Sequence, residues 1–178
     1  MSSADLKHKK RTAALIFLLV FITVASLCVT AWALFFREAD VILTPDYAPQ
    51  DPESNAEPIP GDESKLEAAA GGGAIGLEYN DKVTIDLSEK KASLQFANPH
   101  KSTQNMVLQI VIQDEIIVQS GTIKAGHRVK TLDLLEGAER KLTQGIYEAK
   151  FVILCYNPEN GEKAMVNTEA AITVTVTE

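Results

Sequence analysis

The chain has little cysteine, few aromatic residues and few basic residues for its length of 178 residues. Its two cysteines, Cys28 and Cys155, lie far apart, which excludes a disulfide framework. It has no Asn-x-Ser/Thr glycosylation acceptor, and an outer domain without disulfides points to bacteria rather than to an animal cell surface. The net charge of −7 argues against a nucleic acid partner, because phosphates require a basic surface.

A second absence is local, because no charged residue occurs between Thr12 and Phe36. A helix of this length, rising about 1.5 Å per residue, crosses the roughly 30 Å hydrocarbon core of a bilayer. Basic residues in the preceding segment 1–11 place that segment in the cytoplasm. The sequence therefore predicts a single-pass protein of the cell membrane, with a transmembrane helix at 12–36 and an extracellular C-terminal domain. Cleavage after Ala33 and lipidation of Cys28 stay open as alternatives to a retained anchor.

Residues 37–80 have a different composition, with five prolines and an excess of acidic residues over basic ones. Proline removes backbone donors and like charges repel, so this segment is predicted to be a disordered, solvated stalk. A largely extended stalk of about forty residues would reach up to roughly 100 Å.

Within the stalk, the stretch Gly71–Gly76 matches the G-x-G-x-x-G spacing of a dinucleotide-binding loop. That loop works between a buried strand and a helix, and neither pattern flanks it here. We interpret these glycines as a flexible joint between stalk and domain, with the boundary near Gly73 to Asn80 and the domain at 81–178.

Beyond Asn80 apolar residues recur with a period of two, which is typical of strands. The tip of one hairpin is predicted at Asp114-Glu115. Predicted strands lie at Val83–Leu87, Leu94–Phe96, Met106–Gln113, Ile116–Ile123, Arg128–Leu132, Gly145–Tyr156 and Ala170–Thr177. Short strands with no helical period between them predict an all-β domain built as an antiparallel sandwich.

The stretch Leu142-x-x-Gly145-x-Tyr147 resembles the approach to the penultimate strand of immunoglobulin-like and fibronectin type III-like domains. This resemblance, which covers roughly Lys82 to Thr177, implies an immunoglobulin-like sandwich. It also implies that Tyr147 is a structural corner residue whose hydroxyl bonds backbone a few residues upstream. The immunoglobulin cysteine pair and its packed tryptophan are missing, so an antibody-type domain is not expected.

The order of anchor, acidic stalk and sandwich is similar to that of single-pass surface proteins of Gram-positive bacteria. Besides the corner residues, the positions that carry this resemblance are Phe96-x-Asn98-Pro99, Ser120-Gly121 and Gly161-Glu162. The resemblance implies a location and a fold, and it implies no activity.

The residues that usually carry chemistry lack the right neighbours. Gly121–Gly126 has phosphate-loop spacing, but His127-Arg128 stand where Lys and Ser/Thr are needed. The three histidines have no second ligand at metal-binding spacing, and Cys155 alternates inward as an inert core residue. No catalytic, cofactor-binding or metal-binding residue is therefore predicted. The turn Asn157–Glu162 stays open between a weak calcium site and an Asn-Gly hairpin turn.

The most specific binding residues predicted are Thr173, Thr175 and Thr177, which share one face of the last strand. If that strand lies at a sheet edge, its free backbone can accept a partner strand; otherwise these threonines only face water.

The leading hypothesis is a membrane-anchored extracytoplasmic binding or assembly module without catalytic activity. Its partner would be another envelope or surface protein, a wall polymer or a second copy of itself. The alternative is an accessory subunit of an envelope complex, of the secretion or conjugation type, that acts through its transmembrane helix. An enzyme is the third possibility.

Overall fold

The computed structural model describes residues 16–26, 48–49, 51–68, 72–164 and 167–178. The chain divides into two compact units, Met1–Ile42 and Leu43–Glu178. In the first unit, residues 16–26 form a helix with exposed apolar side chains. The rest of the predicted span at 12–36, including Cys28, lies outside the described residues. Within the described ranges, no helix combines the length and the apolar character needed to cross a bilayer.

The second unit is built from strands. They are β1 (Ala56–Pro58), β2 (Glu78–Tyr79), β3 (Lys82–Asp86), β4 (Lys91–Asn98), β5 (Asn105–Ile112), β6 (Glu115–Gln119), β7 (His127–Asp133), β8 (Gly145–Tyr156) and β9 (Thr168–Thr177). One short 3-10 helix, Ala138–Arg140, precedes β8.

These strands form a nine-stranded sheet in the order β1-β7-β4-β3-β9-β8-β5-β6, and β2 pairs separately with β4. The sheet curls until its two ends meet. Val118 in β6 bridges Leu134, which follows β7, and the N–H of Leu135 donates to the Ile117 carbonyl (2.9 Å). Neighbouring strands are antiparallel except β3 and β9, which run parallel. The prediction of a purely antiparallel arrangement is wrong at that pair.

The core lies inside the curled sheet and follows from the alternation of apolar residues. In β3 and β9 only every second residue is buried, which places one face of each strand inside. Residues Met106–Ile112 of β5 are all buried, since a second apolar cluster covers the outer face of β5 and β8. Phe151 of β8 lies at the centre, and its ring meets those of Phe96 (6.1 Å) and Tyr79 (5.9 Å) edge to face.

The prediction of a disordered stalk does not fit residues 51–59, because they are bonded to the domain. We call residues 51–59 the strap. Pro52 forms a parallel bridge with Thr122, and β1 pairs with β7. The N–H of Gly121 donates to the Glu53 carboxylate (2.7 Å), and the N–H of Ile59 donates to the Gly126 carbonyl (2.8 Å). Proline has no backbone N–H to donate. In the strap, the Glu53 carboxylate and the backbone groups of the other residues make the hydrogen bonds that hold it to the domain.

The glycine-rich stretch is also fastened where it is described, so the predicted swivel does not fit residues 72–80. The Ser102 hydroxyl accepts a bond from the N–H of Gly76 (2.9 Å), and Thr103 bonds both backbone groups of Ala74. A Cβ on Gly73 would collide with the Gln104 side chain. These glycines permit close packing against a loop of the domain rather than free rotation.

Candidate binding surface

The strand that carries Thr173, Thr175 and Thr177 is not at an edge. β9 pairs with β3 over Thr173–Thr177, and on its other side it pairs with β8 as far as Val176. Its backbone groups are therefore used within the sheet, which contradicts the condition on which strand addition at β9 depended. The side chains of Thr173 and Thr175 point away from the core and are exposed.

The structure brings Thr175 together with four uncharged residues that the sequence scatters over the chain. Strand register aligns Thr131 with Ser93, Ser93 with Thr84, Thr84 with Thr175, and Thr175 with Ile146. These five residues cross five strands, β7, β4, β3, β9 and β8, on the outer face. We call them the uncharged row. Within the described part of the chain, none of their side chains makes an ion pair or a hydrogen bond.

Ile146 is the most unusual member of the uncharged row. It is 76% exposed, although a large apolar side chain in a strand normally finds a place in the core. Successive side chains in a strand point to opposite faces. Gly145 and Tyr147 take the inner face, so the Ile146 side chain lies on the outer face. One end of the uncharged row is therefore the apolar side chain of Ile146, and the other four residues carry hydroxyl groups.

Charged residues flank the uncharged row on both sides along the strands. Register places Asp133, Lys91 and Asp86 on one side, and Lys82 and Glu148 on the other. The Ser88 hydroxyl (2.6 Å) and the N–H of Glu89 bond the Asp86 carboxylate and lower its pKa, so it is ionised at neutral pH. Lys82 has no ion-pair partner among the described residues, which leaves its charge available to a ligand.

A depression of about 710 Å³ adjoins the row where Glu148 and Thr173 lie. Asp81, Asp114 and Lys150 also line it, and the Lys150 ammonium is bonded to Glu169 (3.1 Å). Over the ranges that the structure describes, no group of three or more His, Cys, Asp or Glu residues is placed to hold a metal ion.

Tyr147 lies beside the uncharged row and faces the opposite way. Its hydroxyl donates to the carbonyl of Thr143 (2.9 Å) and accepts a bond from the N–H of the same residue (3.2 Å). Bonds from the Thr143 hydroxyl and N–H lower the pKa of the tyrosine. The backbone of Gly145 is extended next to the Tyr147 ring, and the Leu142 side chain is buried. These bonds join the Tyr147 side chain to the backbone of Thr143.

Replacing Tyr147 with phenylalanine is expected to lower the free energy of unfolding, because the backbone of Thr143 loses its partner. Urea unfolding followed by far-UV circular dichroism measures this change. Tyr79→Phe is the matched control, since the Tyr79 hydroxyl has no hydrogen bond in the described structure. Equal stability of both variants would remove the corner role.

The structure also describes the surroundings of Cys155 and of the turn Asn157–Glu162, which the sequence analysis considered as possible sites. Burial raises the pKa of Cys155 to about 11, which keeps the thiol protonated and unreactive. In the turn Asn157–Glu162, the Asn157 side-chain oxygen accepts the N–H of Glu159 (2.8 Å), and that of Asn160 accepts the N–H of Glu162 (2.9 Å). These oxygens serve the turn itself, which favours the hairpin interpretation over a calcium site.

Sequence reasoning missed four members of the row, Ile146, Thr84, Ser93 and Thr131. One signal was available, because Ile146 falls in the outward phase of β8 with Glu148 and Lys150, where a polar residue is expected. The other three look like ordinary outward residues until pairing aligns them.

Comparison with known proteins adds little to this geometry. No protein-family model and no curated protein matches the chain. One solved structure that matches is the crystal structure of AggA, the major subunit of aggregative adherence fimbriae type I (AAF/I) from Escherichia coli. It is 10% identical, with 65% of this chain and 100% of that chain covered and a TM-score of 0.30. A likeness of this size assigns neither fold nor function.

Proposed function

We propose that this protein is a membrane-anchored, extracytoplasmic binding or assembly module, and that it binds its partner through the uncharged row. The observation that carries the proposal is the exposure of Ile146 at the end of an aligned row of hydroxyl side chains on a rigid sheet. Under the row, β4, β3 and β9 are paired on both sides, whereas β7 at Thr131 and β8 at Ile146 are each paired on one side only. The part of the surface on β4, β3 and β9 is thus preformed, which reduces the ordering cost of binding.

The proposal includes an immunoglobulin-like sandwich as the scaffold. In support, the sheet divides into two groups of neighbouring strands. One group consists of β7, β4 and β3, and the other consists of β9, β8, β5 and β6. The parallel contact of β3 with β9 joins the two runs at one side, and the contact of β6 with Leu134 joins them at the other. The bond from Tyr147 to Thr143 adds the corner that such domains use between their layers.

Membrane anchoring rests on the sequence from Thr12 to Phe36 and on its basic flank. The described helix at 16–26 supports it, since Phe17, Leu19 and Phe21 are among the apolar side chains that it leaves exposed. An apolar surface of this kind is costly in water and is favourable in lipid.

The role is proposed to be non-catalytic because, among the described residues, no hydroxyl of the row is hydrogen-bonded to a histidine or a carboxylate that could act as a base. A serine or threonine needs a neighbouring base to act as a nucleophile. Ser93 and the threonines of the row have only one another and Ile146 as aligned neighbours.

Exchange of residues 13–36 for an unrelated apolar helix tests the proposal against the alternative. If the domain is the functional part, the exchanged protein stays in the membrane and keeps its partner in cell crosslinking. Loss of the partner despite correct insertion would favour an accessory subunit that acts through its helix. Release of the unaltered protein from membranes by carbonate would contradict anchoring.

A further inference from the structure

We propose that the first part of β9, residues 168–171, binds an extended basic segment of another protein as an added strand. We call residues 168–171 the open edge. This site goes beyond the proposed function, because it is separate from the uncharged row and does not require it.

The open edge exists because β3 does not follow β9 over its whole length. β3 pairs with β9 only as far back as Lys82, and the last bond runs from the N–H of Thr173 to the Asp81 carbonyl (2.7 Å). Before Asp81 the chain turns toward β4 instead, since the N–H of Asn80 donates to the Gln95 carbonyl (2.9 Å). On its other side the open edge pairs with β8. It therefore has a partner strand on one side only.

Strand geometry shows which backbone groups of the open edge are free. The N–H of Thr173 points toward β3, so the backbone groups of Ala171 and Glu169 point to that same side. Within the described part of the chain, neither the N–H nor the carbonyl of these two residues makes a backbone hydrogen bond. Both residues are exposed. A strand added here can bond all of these groups, which is the usual mode of β-augmentation.

The inner side of the open edge offers an apolar contact. β2 lies on the same side of β4 as β3, and its Tyr79 is 45% exposed. The Tyr79 ring meets the Phe151 ring edge to face (5.9 Å), and Phe151 is the strand partner of Ala170 in the open edge. An inward side chain of the added strand would cover the Tyr79 ring, which favours an apolar residue at that position.

The outer side of the open edge is acidic. Ala171 lines the depression described above, together with Asp81 and Glu148, which are both exposed. Lys150 also lines it, but its ammonium is already bonded to Glu169 (3.1 Å). An outward lysine or arginine on the added strand would therefore lie among opposite charges.

These features specify the partner segment. It is extended, with apolar residues at inward positions and lysine or arginine at outward positions, because successive side chains of a strand point to opposite faces. A second copy of this chain fits less well, since joining two open edges would bring Glu169 and Asp81 of both copies together. Like charges on paired strands are destabilising. The partner is therefore a different protein.

Amide hydrogen exchange at residue resolution tests the open edge, with the full chain in a nonionic detergent. In the free protein, the N–H groups of Glu169 and Ala171 should exchange at least about tenfold faster than those of Ala170 and Ile172, which point to β8. A synthetic peptide that alternates valine and lysine should slow exchange at Glu169 and Ala171. Slow exchange at these two residues in the free protein, or no protection by the peptide, would overturn the inference.

A proline variant tests the backbone contact. Ala171→Pro removes an N–H that faces the open side and leaves the pairing with β8 in place, so it should weaken binding of the valine–lysine peptide roughly tenfold. Ala171→Val keeps the N–H and is the matched control. Equal affinity of the two variants would show that the peptide does not add as a strand.

Charge reversal tests the partner's chemistry and stands even if the proline variant does not fold. The native chain should bind the valine–lysine peptide roughly tenfold more tightly than a peptide that alternates valine and glutamate. Asp81→Lys combined with Glu148→Lys should reverse this preference. Glu136→Lys, exposed in the loop after β7, should keep it. The same preference in both variants would overturn the basic partner.

Ile146→Asp separates the site on β9 from the uncharged row. Ile146 is aligned with Thr175, away from the open edge, so the affinity for the valine–lysine peptide should not change. A roughly tenfold loss would mean that the peptide binds at the row. That result would overturn the site on β9 and would leave the proposed function in place.

Discussion

Replacing Phe151 with alanine is expected to lower the free energy of unfolding by about 4 kcal/mol. The Phe151 side chain is fully buried, and its ring contacts those of Phe96 and Tyr79 edge to face. Truncation removes apolar area, leaves a cavity and deletes two ring contacts that each contribute about 0.5–1.5 kcal/mol. Denaturant unfolding of the full chain in detergent, followed by far-UV circular dichroism, measures the loss.

Phe151→Leu is the matched control, because it keeps most of the buried volume and is expected to cost less than about 1.5 kcal/mol. The contact with Tyr79 matters for the domain boundary, since that residue lies before the predicted start at position 81. A loss under about 1 kcal/mol for Phe151→Ala would mean that β8 does not pass through the core.

Replacing Glu53 with alanine is expected to lower the free energy of unfolding by about 2 kcal/mol. Its carboxylate accepts the N–H of Gly121 (2.7 Å) and that of Asn55 (2.9 Å), and it thereby holds the strap on the domain. Loss of these bonds should also speed hydrogen exchange at Thr122, whose N–H donates to the Asp51 carbonyl (3.1 Å). Amide exchange with mass spectrometry measures both effects.

Glu63→Ala provides the control, because Glu63 has no hydrogen bond or ion pair in the described structure and is expected to change stability by less than about 0.5 kcal/mol. Gly121→Ala approaches the same contact from the other side. Its added Cβ would lie 2.9 Å from the Glu53 nitrogen, which belongs to the backbone and cannot rotate away. A free stalk would respond to none of these changes, so identical exchange in all the variants would contradict the strap.

The strands could be predicted from the sequence where the burial of one face sets the alternation of apolar residues. β8 was predicted with its observed bounds, because Phe151 and Ile153 alternate with outward residues over a long stretch. The hairpin tip was predicted one residue late: Gln113 and Asp114 have φ values of 52° and 64°, the left-handed conformation of a tight two-residue turn. Local residue types indicated the turn, and backbone geometry fixed its position.

Strand partners could not be predicted in the same way. The sequence left open whether β9 lies at an edge, because its neighbour β3 lies far away in the sequence. Pairing at that separation depends on how the whole sheet curls, which no local pattern encodes. The uncharged row was hidden for the same reason, since Thr84 and Thr175 become neighbours only through this pairing.

The strap was missed because its composition is that of a disordered segment. Pro52 and Pro58 lack donors, and β1 is too short to show alternation. What holds it is a set of bonds to distant groups, among them the Glu53 carboxylate on Gly121 and the Glu57 carboxylate between Lys130 (2.8 Å) and Arg128 (3.5 Å). The lysine and the arginine also lower the pKa of Glu57, so that carboxylate remains charged at neutral pH.

Site-specific photocrosslinking in native membranes tests most directly whether the uncharged row binds a partner. A photoreactive residue is placed at Thr175 or Ile146 on the row, and at Lys124 as an exposed control position. The account predicts a discrete adduct in the membrane fraction from both row positions and none from the control. Adducts from Lys124 alone, or no adduct from either row position in correctly inserted protein, would contradict it.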